Sequence, residues 1–148
     1  MNNIVAINLV QDYTHRKLAD IQFVQELIKK LEGENKLANY KHIVLDICGC
    51  RVGYPATPQL IDYFLNHLLK QNGEKTLTVK MNAIANVEWI FLNLLVLEGE
   101  FFAINDKINS EEDLTKSKQL MNEKLKQTNI AFNVIVSNGE EYKYGNQK

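Results

Sequence analysis

The sequence predicts a single α/β layer domain with at least one parallel pair of strands. Three observations predict it. Short runs rich in Val, Ile and Leu alternate along the chain with segments whose apolar residues recur at three- and four-residue intervals, the order of a βαβ fold. The length, 148 residues, suits one domain and lets the chain bury roughly 68–70% of its unfolded surface without a disulfide or metal. The composition, 45% hydrophobic and 24% charged, is that of a folded soluble protein and excludes a disordered one.

Each element has its own signal. Ile4 to Val10 is apolar and loosely alternating, so it reads as a strand. Gln11 to Arg16 is polar, with Asp12 and Thr14 as caps. From about Lys17 to Glu32 the period becomes helical through Ile21, Val24, Leu27, Ile28 and Leu31, and Gly33 stops the run. Ile43-Val44-Leu45-Asp46-Ile47 is a continuous apolar run, the pattern of a central strand buried on both faces. Thr57-Pro58 opens a helix, with threonine as cap and proline at the first helical position. Leu60, Ile61, Phe64, Leu65, Leu68 and Leu69 form its stripe, and Asn72-Gly73 ends it. Lys75 to Met81 alternates cleanly, with Leu77, Val79 and Met81 on a buried face and Thr76, Thr78 and Lys80 on a wet one, as near the edge of a sheet.

A further apolar helix is expected from Val87 to Leu97, capped by Asn86, and a short strand from Phe101 to Ile104. Ser110 with Asp113 resembles a capping box. It opens a solvated helix to about Lys126 whose thin stripe is Leu114, Met121 and Leu125. Ile130 to Val136 is the last long strand, and Asn138-Gly139 turns it into a hairpin with Glu141 to Tyr144.

Several function classes are disfavoured by composition. A formal net charge of −1 provides no field for nucleic acid or an anionic membrane. The longest apolar stretch, Val87 to Leu97, is about half a membrane span. The N-terminal apolar run is broken at Asn8 and lacks a basic leader, so it is not a signal peptide. Two cysteines one residue apart, Cys48 and Cys50, cannot staple a fold and do not form a C-x-x-C motif. A cytoplasmic location is therefore expected.

The segment Asp46-Ile47-Cys48-Gly49-Cys50-Arg51-Val52-Gly53-Tyr54-Pro55-Ala56-Thr57 resembles the strand-to-helix turn of a STAS domain. In bacterial anti-sigma-factor antagonists that strand ends in aspartate, continues Leu-Ser-Gly, and reaches Asp-Ser-Ser-Gly at the next helix. Asp46 and Gly49 match, and Cys48 replaces the first serine. The nearest form is a divergent STAS-like family of unknown function, and the likeness runs mainly over residues 40–104. The resemblance implies one STAS-like domain over residues 1–148, with a mixed sheet, helices mainly on one face, and a C-terminal helix and hairpin over 110–144. It also implies a non-enzymatic protein-interaction module in bacterial signalling, with a histidine-kinase-like ATPase as partner. Where the antagonists carry their phosphorylated serine this chain has Ala56, and Tyr54 replaces the preceding aspartate. Thr57 is the shifted candidate for phosphorylation, set against its simpler role as a helix cap.

Partner binding is expected on the turn and the following helix, through Arg51, Tyr54, Thr57, Gln59, Asp62, Tyr63 and Asn66. The last four avoid the apolar stripe. No catalytic group, cofactor or metal site is expected, because no nucleophile, base and orienting group appear together and no further ligands accompany the cysteines. His15, His42 and His67 are scattered and read as surface or capping residues. A homo-oligomer is left open. One alternative is an enzyme or small-ligand binder with a pocket near Asp46, Cys48 and Cys50, at the carboxyl end of the central strand. Another is a subunit of a larger host–phage conflict complex.

Overall fold

The computed structural model describes residues 4–53, 56–84, 87, 96–97, 100–101 and 110–147. Four strands run parallel: β1 (Ile4–Asn8), β3 (His42–Asp46), β5 (Lys75–Met81) and β8 (Ile130–Val136). β9 (Glu141–Gly145) folds back antiparallel on β8, giving one mixed five-stranded sheet of order β1-β3-β5-β8-β9. Each parallel strand is added on the same side of its predecessor. Crossovers of one hand then place every connecting helix on the same face. These helices are α2 (Ile21–Gly33), α3 (Ala56–Leu69) and α4 (Glu111–Gln127).

Burial follows that arrangement. Ile7, Ile43, Leu45, Leu77, Val79, Phe132, Val134 and Val136 are buried beneath the helices. Their alternates Ala6, Val44, Thr78 and Asn133 form one row across the opposite face. β5 is the middle strand rather than one near the edge, its alternation coming from a face that no helix among the described residues covers. The expectation that β3 is buried on both faces is therefore corrected. β3 is central, but only Ile43 and Leu45 are sealed, and His42, Val44 and Asp46 are half-exposed. The continuous apolar run misled because Val44 is a strong strand former on the open face, and Ile47 lies one residue past the strand.

The start of the chain also differs from its pattern. β1 stops at Asn8, whose side chain accepts from the Gln11 N–H, and a short helix α1 (Leu9–Tyr13) follows. Leu9 and Val10, read as strand, belong to that helix. Lys17 and Leu18 are not the first turn of α2. They form β2, paired in parallel with β4 (Arg51–Val52). Asp20 then caps α2 by accepting from the Gln22 and Phe23 N–H groups.

α3 has the most buried stripe. Leu60, Ile61, Phe64, Leu65 and Leu68 are all sealed from solvent, as is Pro58. α4 is capped by Ser110, which accepts from the Asp113 N–H, and buries the expected Leu114, Met121 and Leu125. Of the helix expected from Val87 to Leu97, Val87 is helical, but Val96–Leu97 is β6, paired antiparallel with β7 (Glu100–Phe101). The rest of that helix lies outside the described residues, as do 102–104 of the short strand expected next. No helix among the described residues is long and apolar enough to cross a membrane.

Candidate functional site

Four of the seven residues expected to bind a partner gather at one place. Gln59, Asp62, Tyr63 and Asn66 form one wall of a cleft of about 950 Å³ beside α3. The opposite wall is the end of α2 and the loop that follows it, including Glu32, Asn35, Lys36 and Asn39. The spacing explains the near wall. Residues 59, 62, 63 and 66 recur at three and four positions, so they share the single stripe of α3 that its core contacts leave open.

The far wall depends on loop geometry. Asn35 and Ala38 both adopt positive φ, at 49° and 41°. That conformation is costly for alanine and is kept only where the surroundings impose it. Two contacts do so. Leu37 is buried as the loop's anchor, and the His67 Nε2–H on α3 donates to the Ala38 carbonyl at 3.0 Å. Burial lowers the His67 pKa from its usual value, outweighing the opposing hydrogen bond to Ala38, and the nearby Lys70 charge adds to the lowering. A neutral His67 is thus favoured as the donor. At the base of the loop the Tyr13 hydroxyl donates to the Glu34 carboxylate at 3.1 Å. Burial and that carboxylate push its pKa up to about 12.

The cleft has mixed, balanced chemistry. Glu32 and Asp62 are offset by Lys36 and Lys70, and carboxamides from Asn35, Asn39, Gln59 and Gln71 lie among them. Carboxamides both donate and accept, so the lining matches peptide groups better than it matches a multiply charged anion. The Tyr63 ring is half-buried and stands edge-on to Phe64, with centroids 5.6 Å apart. Burial raises its hydroxyl pKa, and Glu32 contributes.

The other three expected residues lie elsewhere or carry other roles. Arg51 is exposed in β4 and does not line the cleft. Tyr54 lies outside the described residues. Thr57 is fully buried. Its hydroxyl donates to the Leu18 carbonyl at 2.9 Å and accepts from the Gly53 N–H at 3.0 Å. It therefore ties the turn before α3 to β2 rather than capping the first turn of α3. A phosphate on Thr57 would remove the proton donated to Leu18 and place a charged group in a fully buried site, so the structure disfavours the expected phosphorylation there.

The turn after β3 is built by local hydrogen bonds. Asp46 Oδ1 accepts from the Cys48 N–H at 2.9 Å, and Gly49 takes φ +87°. The Cys50 thiol donates to the His15 carbonyl at 3.3 Å. Burial pushes the Cys50 pKa up to about 11 against the opposing Arg16 charge. Burial also raises the pKa of Cys48, helped by Asp46. Gly53 is needed for close approach, since a Cβ there would meet Ala19 Cβ at 2.8 Å. Asp46 lines a small pocket of about 340 Å³ on the open face with Asn8, Gln11, Asp12 and Lys80. Neither thiol lines it, so the three residues of the small-ligand alternative do not converge there. Among the described residues, no group of three or more His, Cys, Asp or Glu side chains could hold a metal ion.

Sequence reasoning missed His67 as a positioning residue and missed the Asn35–Asn39 wall. The polar cluster Glu34-Asn35-Lys36 after Gly33 was the available signal, but nothing in it showed that the loop would fold beside α3. No protein-family model matches this chain, and no curated protein or solved structure matches it.

Proposed function

We propose that this protein is a non-enzymatic interaction module, which docks a partner protein in the cleft between the α2–β3 loop and α3. The observation that carries this reading is the convergence of Gln59, Asp62, Tyr63 and Asn66 opposite a loop held in a strained conformation. A wall fixed in advance lowers the entropy cost of binding. Tyr63 supplies an aromatic anchor of the kind that dominates interface energetics. The balanced charge of the lining suits a neutral, polar protein segment. The STAS resemblance of the Asp46–Thr57 turn adds a context, bacterial signalling with a histidine-kinase-like ATPase as partner.

The test is a photo-crosslinking side chain placed at Gln59 in cells of the native host, with the adduct identified by mass spectrometry. The purified partner is then titrated calorimetrically. Tyr63→Ala is expected to weaken binding roughly thirtyfold, a loss of about 2 kcal/mol, with circular dichroism confirming the fold. Unchanged affinity for both Tyr63→Ala and Asp62→Lys would remove the interface from this cleft.

A further inference from the structure

We propose that this chain self-associates through the outer edge of β1, which no described strand pairs. Two copies pair antiparallel about a two-fold axis at Val5, joining their five-stranded sheets into one. The two edges of the sheet differ in character. β9 carries Glu141 and Lys143, and α4 reaches it where Asn122 Oδ1 accepts from the Gly145 N–H at 2.7 Å. Charged side chains and covering elements are the usual protection of a sheet edge. β1, Ile-Val-Ala-Ile-Asn, has neither charge nor proline, and its Ile4 is 52% exposed.

The hydrogen-bond parity shows which groups are open. The Ile47 N–H donates to the Lys80 carbonyl and the Thr76 N–H to the Lys41 carbonyl. Odd-numbered residues of β3 therefore bond toward β5, and even-numbered ones toward β1. With Ala6 beside Val44, the backbone groups of Val5 and Ile7 face β3, and those of Ile4, Ala6 and Asn8 face the edge. The Asn8 N–H is taken by Asp12 Oδ2 at 2.8 Å. The peptide groups of Ile4 and Ala6 are left, and no described residue outside the strands bonds them.

A second copy fits those groups. In an antiparallel pair the edge-facing residues must oppose one another, which puts the axis at one of residues 4 to 8. Axes at Ile7 and Asn8 leave Ile4 unpaired and call on the Asn8 N–H that Asp12 already holds. An axis at Ala6 sets Ile4 against Asn8, whose N–H is occupied. An axis at Ile4 leaves the Ala6 groups without a described partner. An axis at Val5 sets Ile4 opposite Ala6 twice, and both pairs exchange two N–H···O bonds. Val5 then meets its own copy on the inner face and extends the apolar layer across the junction. The small Ala6 of the other copy covers the exposed Ile4. No charged side chain lies on the strand to repel its copy or to select a different partner, and an isologous contact uses the same patch twice.

Sedimentation equilibrium from micromolar to millimolar protein is expected to show a concentration-dependent dimer. Ala6→Pro removes an outward N–H that the subunit fold does not use, as edge strands tolerate. It should weaken association tenfold or more with an unchanged circular dichroism spectrum. In a Cys48→Ser, Cys50→Ser background, Val5→Cys should form an intermolecular disulfide on mild oxidation, while Ala6→Cys should not. Only the axial pair, about 4.5 Å apart at Cα, lies within disulfide reach. A wild type that stays monomeric throughout, a folded Ala6→Pro variant that associates like wild type, or equal cross-linking at positions 5 and 6 would each overturn the proposal. If Ala6→Pro fails to fold, the comparison of the two cysteine variants decides.

Discussion

Replacing Thr57 with valine keeps the shape of a fully buried side chain and removes its hydroxyl. Two backbone groups then lose their partner at once. The Leu18 carbonyl loses its donor at 2.9 Å, and the Gly53 N–H loses its acceptor at 3.0 Å. Leu18 is sealed from water and Gly53 is half-buried, so solvent cannot replace both bonds. Leaving a buried backbone group unsatisfied costs about 1–3 kcal/mol. With Gly53 partly reached by water, the total falls at about 2–4 kcal/mol. That is a large share of a domain stability of roughly 5–15 kcal/mol, and at this chain length it lowers Tm by roughly 5–15 °C. Urea denaturation followed by circular dichroism measures it directly. Thr57→Ser is the control, since it keeps the hydroxyl and loses a methyl group, at about 1 kcal/mol. The serine variant should therefore be the more stable of the two. A Thr57→Val protein within about 0.5 kcal/mol of wild type, the usual range for inconsequential surface changes, would refute the view that this hydroxyl ties the turn to β2.

Two other outcomes follow from the perturbed groups. The His67 pKa is lowered in the folded state, chiefly by burial, so below the unfolded value of about 6.5 the native state binds fewer protons than the unfolded one, and stability drops as the pH is lowered. His67→Gln keeps an N–H donor but does not titrate, so the variant should gain on wild type between about pH 7.5 and about pH 5.5; a stability difference that is the same at both pH values would refute the role of His67. Cys50, pushed up from 9.0 to about 11, should hold about a hundredfold less thiolate than an unshifted thiol at pH 8 and alkylate correspondingly slowly with iodoacetamide until urea is added; alkylation in the folded protein as fast as that of a small free thiol would contradict its packing against the His15 carbonyl.

The elements legible in the sequence are those with a sustained period or a specific cap. The alternation from Lys75 to Met81 and the helical spacing of Leu60, Ile61, Phe64, Leu65 and Leu68 each cover enough residues to leave little choice of face. Ser110 and Asn138-Gly139 mark a helix start and a turn through chemistry that few other residues share. The pairing of Lys17–Leu18 with Arg51–Val52 was not legible, because two residues have no period and the partner lies in a distant loop. That missed pairing also explains Thr57. Read locally, threonine before proline is a cap; in the fold, β2 brings the Leu18 carbonyl within reach of the hydroxyl and converts it into a buried tie.

The sheet order bears on where recognition can occur. In open parallel sheets, ligands settle where the strand order reverses, because adjacent crossovers leave opposite faces there and a crevice opens. The order β1-β3-β5-β8 has no reversal. Among the described residues, the carboxyl ends of β1, β3 and β5 frame the small pocket holding Asp46 and Lys80. The larger cleft arises on the helical side, where the α2–β3 loop does not lie flat against α3. In that loop Ala38 holds positive φ and its carbonyl accepts from His67 on α3. Under the proposed function, the strain stored at Ala38 is the cost of keeping the docking wall open before a partner arrives.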